Sequence, residues 1–200
     1  MAKKETFLDS LTFLVIYMLK IISPPTFALE RLEKYCKSRI KKNPGAYFPR
    51  VALAEIYKYY KKYEEAREQY KEIMFSGEMR DIDYINYGEV LFRLKAYDSA
   101  VEIFFHVIDK HPHNKIANWC MGNSLMIIGE YDRAVVYLER LLLAGSKRDV
   151  DYWTLARCYD GLGELEKAKT AYTKALTLKP DSVELKEDLA SINRRLQEKI

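Results

Sequence analysis

Small residues recur along the chain at one interval of 34: Ala54, Gly88, Gly122 and Ala156. A second set, Ala66, Ala100, Ala134 and Ala168, keeps the same interval, and each member follows its partner in the first set by 12 residues. A third set is bulky (Tyr70, Phe104, Leu138, Tyr172), and a fourth precedes the second (Tyr63, Tyr97, Tyr131, Leu165). All four stay in phase without an insertion. A period of this length constrains architecture more than any other feature. Each repeat is one supersecondary unit that buries its apolar face only by stacking on its neighbours.

Local chemistry says what the unit is. Apolar residues recur at helical intervals in Val51–Tyr60, Ile85–Arg93, Trp119–Ile128 and Trp153–Asp160, which predicts a first helix in each repeat. A turn follows, as at Gly129-Glu130-Tyr131-Asp132 and Gly161-Leu162-Gly163-Glu164. Glycine ends helices because it takes the left-handed conformation at little cost. Second helices are expected over Glu64–Phe75, Asp98–Asp109, Asp132–Leu143 and Glu164–Leu178. The small residues suit the crossing of the two helices, and the bulky set fills the space between pairs. Pro112 and Pro180 stop the second helices of their repeats, since proline cannot continue a helix interior.

An aromatic, then Leu-Gly, then Tyr, then Ala-x-x-x-Phe and a closing Pro is the pattern of tetratricopeptide repeats, and this chain resembles it. Gly88, Ala100, Phe104 and Pro112 carry the resemblance, as do Tyr152, Leu155, Ala156, Tyr159, Ala168, Tyr172 and Pro180. Glu78 and Ser146 depart from it by standing where the closing proline would be. The resemblance implies an all-α chain: an α-solenoid of four helix-turn-helix repeats at 47–80, 81–114, 115–148 and 149–182, with a C-terminal capping helix over 183–200 and an N-terminal helical pair. It implies a scaffold or adaptor for other proteins, since the family is a platform for many partners.

The two ends read differently. Leu185, Leu189, Ile192 and Leu196 form one apolar stripe on a charged helix. Asp181 with Glu184 has the spacing of a capping box. A solvating cap and a coiled-coil dimerisation helix both fit this stripe. At the other end, Thr26–Lys42 has helical spacing and stops at Asn43-Pro44-Gly45, with Pro44 two periods before Pro112. One period back from the small positions lie Lys20 and Leu32, so 26–46 is the second helix of a degenerate repeat. Residues 1–25 hold the run Leu11–Ile22, apolar on nearly every side. Three readings compete. A membrane span needs about 20 apolar residues; Leu8–Ile22 is shorter and contains Asp9 and Lys20. A signal peptide fits the basic start but lacks an A-x-A site. A buried helix would pair with Thr26–Lys42 and close the array. The expected localisation is cytoplasmic, either free or held at a membrane through residues 7–22, with Lys20 snorkelling.

The family resemblance also implies where a ligand binds. First helices line the concave face of such arrays, with their second, fifth and ninth positions towards the groove. Carried over, the fifth positions are Val51, Ile85, Trp119 and Trp153, and the ninth are Glu55, Glu89, Asn123 and Arg157, with Phe92 and Met126 a turn further on. These ten residues form the candidate peptide-binding groove. The second positions, Phe48, Ile82, Ile116 and Val150, extend an apolar row that suits an amphipathic helix or an extended apolar segment. Trp119 and Trp153 are natural anchors. Glu55 and Glu89 would favour a basic stretch on the partner, and Arg157 an acidic one. Two other readings stand beside this one: the second positions pack as core, or the N-terminal apolar helix of this or a second copy fills the groove. Chaperone-tail binding is disfavoured. The places that would hold its Lys, Arg and Asn carry Val51, Glu55, Asn86, Ile116 and Cys120, of which only Asn86 fits.

Other function classes find little support. A net charge of +4 comes from intermixed signs, without the basic stripe of a nucleic-acid binder. The basic Lys37–Lys42 cluster reads as a solvated helix end. Cys36, Cys120 and Cys158 are far apart and odd in number, and imply neither zinc nor disulfides. His106, His111 and His113 lack completing ligands. No phosphate loop, G-x-S-x-G or H-E-x-x-H occurs, so no catalytic residue, metal or cofactor is expected. The rival function is a structural subunit of a larger, membrane-associated or soluble, complex. A third is a single-pass membrane protein presenting the repeats.

Overall fold

The structure, a computed structural model, describes residues 26–198. The apolar helix expected at 1–25 lies outside the described residues, as do residues 199–200. The described part is all-α, the class expected, with ten helices and no strand among the described residues. The chain divides into two compact units, Met1–Lys95 and Ala96–Ile200.

Unit 1 holds α1 (Thr26–Lys42), α2 (Tyr47–Tyr59), α3 (Tyr63–Phe75) and α4 (Asp81–Arg93). Here α2 packs on both α1 and α3, and α3 on α4. Unit 2 holds α5 (Tyr97–Lys110), α6 (Lys115–Ile127), α7 (Tyr131–Leu143), α8 (Asp149–Gly161), α9 (Leu165–Leu178) and α10 (Val183–Gln197). Each of these packs on the next, and α6 also touches α8.

The period appears in the helix starts. First helices begin at Tyr47, Asp81, Lys115 and Asp149, and second helices at Tyr63, Tyr97, Tyr131 and Leu165. The first helices start four residues before the apolar stretches read from sequence, because their opening turns mix apolar with polar or charged residues, as at Asp81-Ile82-Asp83 and Asp149-Val150-Asp151, and show no helical apolar spacing of their own. The C-terminal helix begins one period after α8, at Val183, and so takes the place of a fifth first helix.

Packing follows the first three residue sets. Ala54, Ala66 and Tyr70 are buried in unit 1, and Ala134, Leu138, Ala156, Ala168 and Tyr172 in unit 2. Gly122 shows why the first set is small: a Cβ there would lie 2.7 Å from Cγ of Leu138. Helix backbones come this close only over Gly or Ala.

The turn between the helices of a pair is the same four times. Lys61, Lys95, Gly129 and Gly163, one period apart, all have positive φ (57°, 61°, 85° and 74°). Junctions between repeats alternate instead. Two second helices, α5 and α9, run into Pro112 and Pro180. Their missing partners, α3 and α7, end at Gly77 and Gly145, again with positive φ (72° and 86°). A left-handed glycine thus stops the helix where Glu78 and Ser146 replace the proline.

The following helix start alternates too. After proline, a side chain caps it: Asn114 Oδ1 accepts from Ala117 N at 3.0 Å, and Ser182 Oγ from Leu185 N at 3.3 Å. The C-terminal helix is therefore capped by Ser182, not by the Asp181 and Glu184 pair expected from spacing. The helix opens one residue later than that pair requires, and serine oxygen reaches the third amide. After glycine, the cap is an Arg-x-x-Asp pair. Asp83 and Asp151 are buried and accept from Arg80 N (2.9 Å) and from Arg148 Nη2 (2.7 Å). Among the described residues, no helix is long and apolar enough to cross a membrane.

Candidate partner-binding site

The ten groove residues fall five to each unit, and they differ in what their side chains can do. In unit 1, Val51 is 1% exposed and Ile85 8% exposed, so both serve as core. Glu55 is buried as well. Its Oε1 accepts from Tyr70 Oη at 2.5 Å and lies 3.4 Å from Lys58 Nζ. The same ammonium donates to Asn86 Oδ1 at 3.0 Å and pairs with Glu89 Oε2 at 3.1 Å. Burial, with Glu55 beside it, pushes the Tyr70 phenol well above its ordinary range. Lys58, which sequence reasoning passed over, thus pairs with both carboxylates proposed to meet a basic ligand and offsets one of their two negative charges. Phe92 stays half-buried at the end of α4.

In unit 2 the equivalent positions remain available. Trp119 and Trp153 take the places of Val51 and Ile85 two periods on, and both keep part of their surface exposed. Each indole carries a guanidinium on its face. The Cζ of Arg148 stands 5.4 Å from the Trp119 centroid, and that of Arg157 stands 4.9 Å from the Trp153 centroid. Cation and ring quadrupole attract at these distances. Arg148 is itself fixed, since its Nε and Nη2 donate to buried Asp151 at 2.9 and 2.7 Å. Arg157 is exposed. The Trp153 indole Nε1 donates to Asp188 Oδ2 of α10 at 2.8 Å, which ties the indole to that helix. Asn123 Nδ2 donates to the carbonyl of Trp119 at 2.8 Å. Met126 is half-buried a turn further along α6.

Second positions are not core: Ile82 in unit 1 and Ile116 in unit 2 are exposed, and Val150 is half-buried. Unit 2 therefore shows Ile116, Trp119, Met126, Val150 and Trp153 as partly or wholly exposed apolar side chains on two touching first helices. Charged groups at this face that the sequence reading missed are Arg148 and Asp188. The signal for Arg148 was present: Arg-Asp-x-Asp occurs at 80–83 and at 148–151, two periods apart. Nothing local in sequence marks Asp188, because its role follows from α10 sitting in a first-helix place. Among the described residues, no cluster of three potential ligands could hold a metal ion.

Comparisons with known proteins agree with this architecture. Residues 152–182 match the tetratricopeptide repeat family model. A stretch of 104 residues, half of this chain, is 26% identical to the general transcriptional corepressor trfA of Dictyostelium discoideum. The match spans 8% of that much longer protein. Among solved structures, MamA (41-end) from Desulfovibrio magneticus RS-1 aligns with a TM-score of 0.70 at 26% identity, over 74% of this chain and 84% of that one. YrrB, described as a TPR protein with an unusual peptide-binding site, aligns with a TM-score of 0.76 at 17% identity, over 86% and 89% of the two chains. Together with the helix starts repeating every 34 residues, these matches show a tetratricopeptide-type α-solenoid, with the repeat itself matched at 152–182.

Proposed function

We propose that the chain is a protein–protein interaction scaffold, and that the first-helix face of unit 2 binds an apolar or amphipathic segment of a partner. One contrast carries this reading. At one register of the repeat, Val51 and Ile85 are sealed in the core while Trp119 and Trp153 stay partly exposed under stacked arginines. Tryptophans already held by contacts within the chain lose less conformational entropy on binding, and tryptophan and arginine are enriched at interface hot spots. Asn123, Met126 and Arg157 complete the face, with Arg157 offering a cation to an acidic residue of the partner. Val51, Glu55, Ile85, Glu89 and Phe92 support unit 1 instead of contacting a ligand. The repeats act as four units, 47–80, 81–114, 115–148 and 149–182, closed by 183–200. That the chain works by binding and not by catalysis accords with its fold, whose members are interaction modules.

Affinity capture from native lysate tests this, comparing the intact chain with Trp119→Ala, with Trp153→Ala and with Asn123→Arg. Selective loss of the same partner from all three, with helicity by circular dichroism unchanged, is the expected result. Equal recovery of every partner would remove the face as the binding surface. The chain has only two tryptophans, both in the proposed site, so intrinsic fluorescence reports binding directly once a partner peptide is known.

A further inference from the structure

Unit 2 carries a second concavity, on other faces of α8 and α9. It is a cavity of about 610 Å³. Its floor is Tyr152, Leu155 and Tyr159 of α8, and its wall runs along α9 from Glu166 to Thr177. That wall spans roughly three helical turns, about 16 Å at 1.5 Å per residue. An elongated cleft of this length matches about five residues of extended chain at roughly 3.3 Å each.

The lining has a definite chemistry. Tyr159 is held in place, its Oη donating to Glu139 Oε1 of α7 at 2.5 Å. Thr170, Thr173 and Thr177 recur along the wall, and each hydroxyl donates to the carbonyl four residues back, at 2.9, 2.8 and 2.8 Å. Their donors are satisfied within the helix, so they offer methyl groups and lone pairs to the cleft. A ligand that needs many donors, such as a sugar or a phosphate, finds few. Lys167 is already paired with Glu164 at 2.6 Å and lies 5.3 Å from the Tyr159 centroid. Lys174 lines the cavity without a carboxylate partner among the described ion pairs.

We propose that this cleft docks a short extended segment of a partner protein that carries an apolar side chain next to a carboxylate. The apolar side chain covers Tyr152, Leu155 and Tyr159, and the carboxylate meets Lys174. Charge complementarity to Lys174, about two helical turns along the wall from the lining carboxylate of Glu166, and a wall the length of about five extended residues favour such a segment. The site is separate from the Trp119 and Trp153 face, so the chain can hold two segments at once.

A random peptide library panned against the intact chain tests the proposal. Enriched peptides should share an apolar residue adjoining Asp or Glu. Their affinity should fall about tenfold or more in Thr170→Arg, which fills the cleft, and in Lys174→Glu, while Trp153→Ala leaves it unchanged. Thr173→Arg, another exposed wall position, replaces Thr170→Arg if the latter melts early by circular dichroism. The proposal is overturned if no such motif is enriched, or if binding ignores the cleft variants. Loss in Trp153→Ala would assign the peptides to the first-helix face. Octanoate binding with the same variant sensitivity, in the absence of peptide binding, would assign the cleft to a small acid. Cleft-dependent self-association in sedimentation would assign it to a second copy. Partner capture that depends on Trp119 and Trp153 can survive all of these results.

Discussion

The Trp153 indole nitrogen donates to Asp188 Oδ2 at 2.8 Å, which ties the proposed binding face to the C-terminal helix. A second tie lies on the same two helices, where Arg195 Nη1 pairs with Asp160. Hydrogen bonds to charged groups contribute about 1.5–3 kcal/mol when neither partner is left stranded. Replacing Asp188 by Ala should therefore lower unfolding stability by about 1–2 kcal/mol, since the site is half-buried. It should also release the Trp153 rotamer, seen as a loss of near-UV circular dichroism. If near-UV signal and denaturation midpoint both stay at wild-type values, the cap does not order the face.

Unit 1 makes a contrasting case, because its groove charges are structural. Lys58 reaches Glu55, Asn86 and Glu89 together. Removing one partner of a buried charge is more costly than losing an exposed pair, by about 3–5 kcal/mol against less than 1. Lys58→Met leaves the buried Glu55 without a cation and should destabilise by about 2–3 kcal/mol. Glu89→Gln, at the exposed end, should cost under about 1 kcal/mol. Urea denaturation of the two variants decides it; equal effects would mean that Glu55 finds compensation elsewhere.

Much of this was legible in the residues, and the boundary is physical. Local periodicity located the helix pairs, because the small positions at Ala54, Gly122 and Ala156 are dictated by backbone approach within one repeat. Contacts across elements were not legible. Val51 and Trp119 share a register and looked alike, yet one is core and one is partly exposed. Likewise, Gly77 and Gly145 stop their helices through a left-handed φ, a backbone state that residue type permits but does not by itself dictate.

Backbone strain gives a direct test of the turns. Lys61 and Lys95 hold the conformation that Gly129 and Gly163 hold in their own repeats. A residue with a Cβ is penalised there by roughly 1–2 kcal/mol relative to glycine, partly offset by glycine's greater unfolded-state entropy. Lys61→Gly and Lys95→Gly should each raise stability by about 0.5–1 kcal/mol. Gly129→Ala and Gly163→Ala should lower it by about 1 kcal/mol through the local backbone alone, since no surrounding atom lies within 4 Å of either added Cβ. Gly122→Ala fails differently, by pushing on Leu138, and should cost about 1–3 kcal/mol through overpacking. Thermal unfolding of the five variants separates the two mechanisms.

Alkaline pH should dissolve the fold before acid does anything comparable through these groups. Burial pushes the Cys36 and Cys158 thiols up to about 12, from an ordinary value of 9.0. It also raises the phenols of Tyr47, Tyr70, Tyr159 and Tyr172, where nearby Asp83, Glu55, Glu139 and Asp188 add to the effect. All these groups ionise to anions. Their folded-state pKa lies above the unfolded one, so the stability they contribute is complete below the unfolded value. It drains away between about pH 9 and pH 12 as the unfolded chain alone gives up its protons. Each such group removes up to about 1.4 kcal/mol per pH unit within that window. Denaturation midpoints should hold steady from pH 7 to 8.5 and then fall steeply. The double variant Cys36→Ala, Cys158→Ala should fall less steeply at first, because the thiols are the earliest to ionise in the unfolded chain. A midpoint independent of pH up to 11 would show that these side chains are far more hydrated than their packing implies.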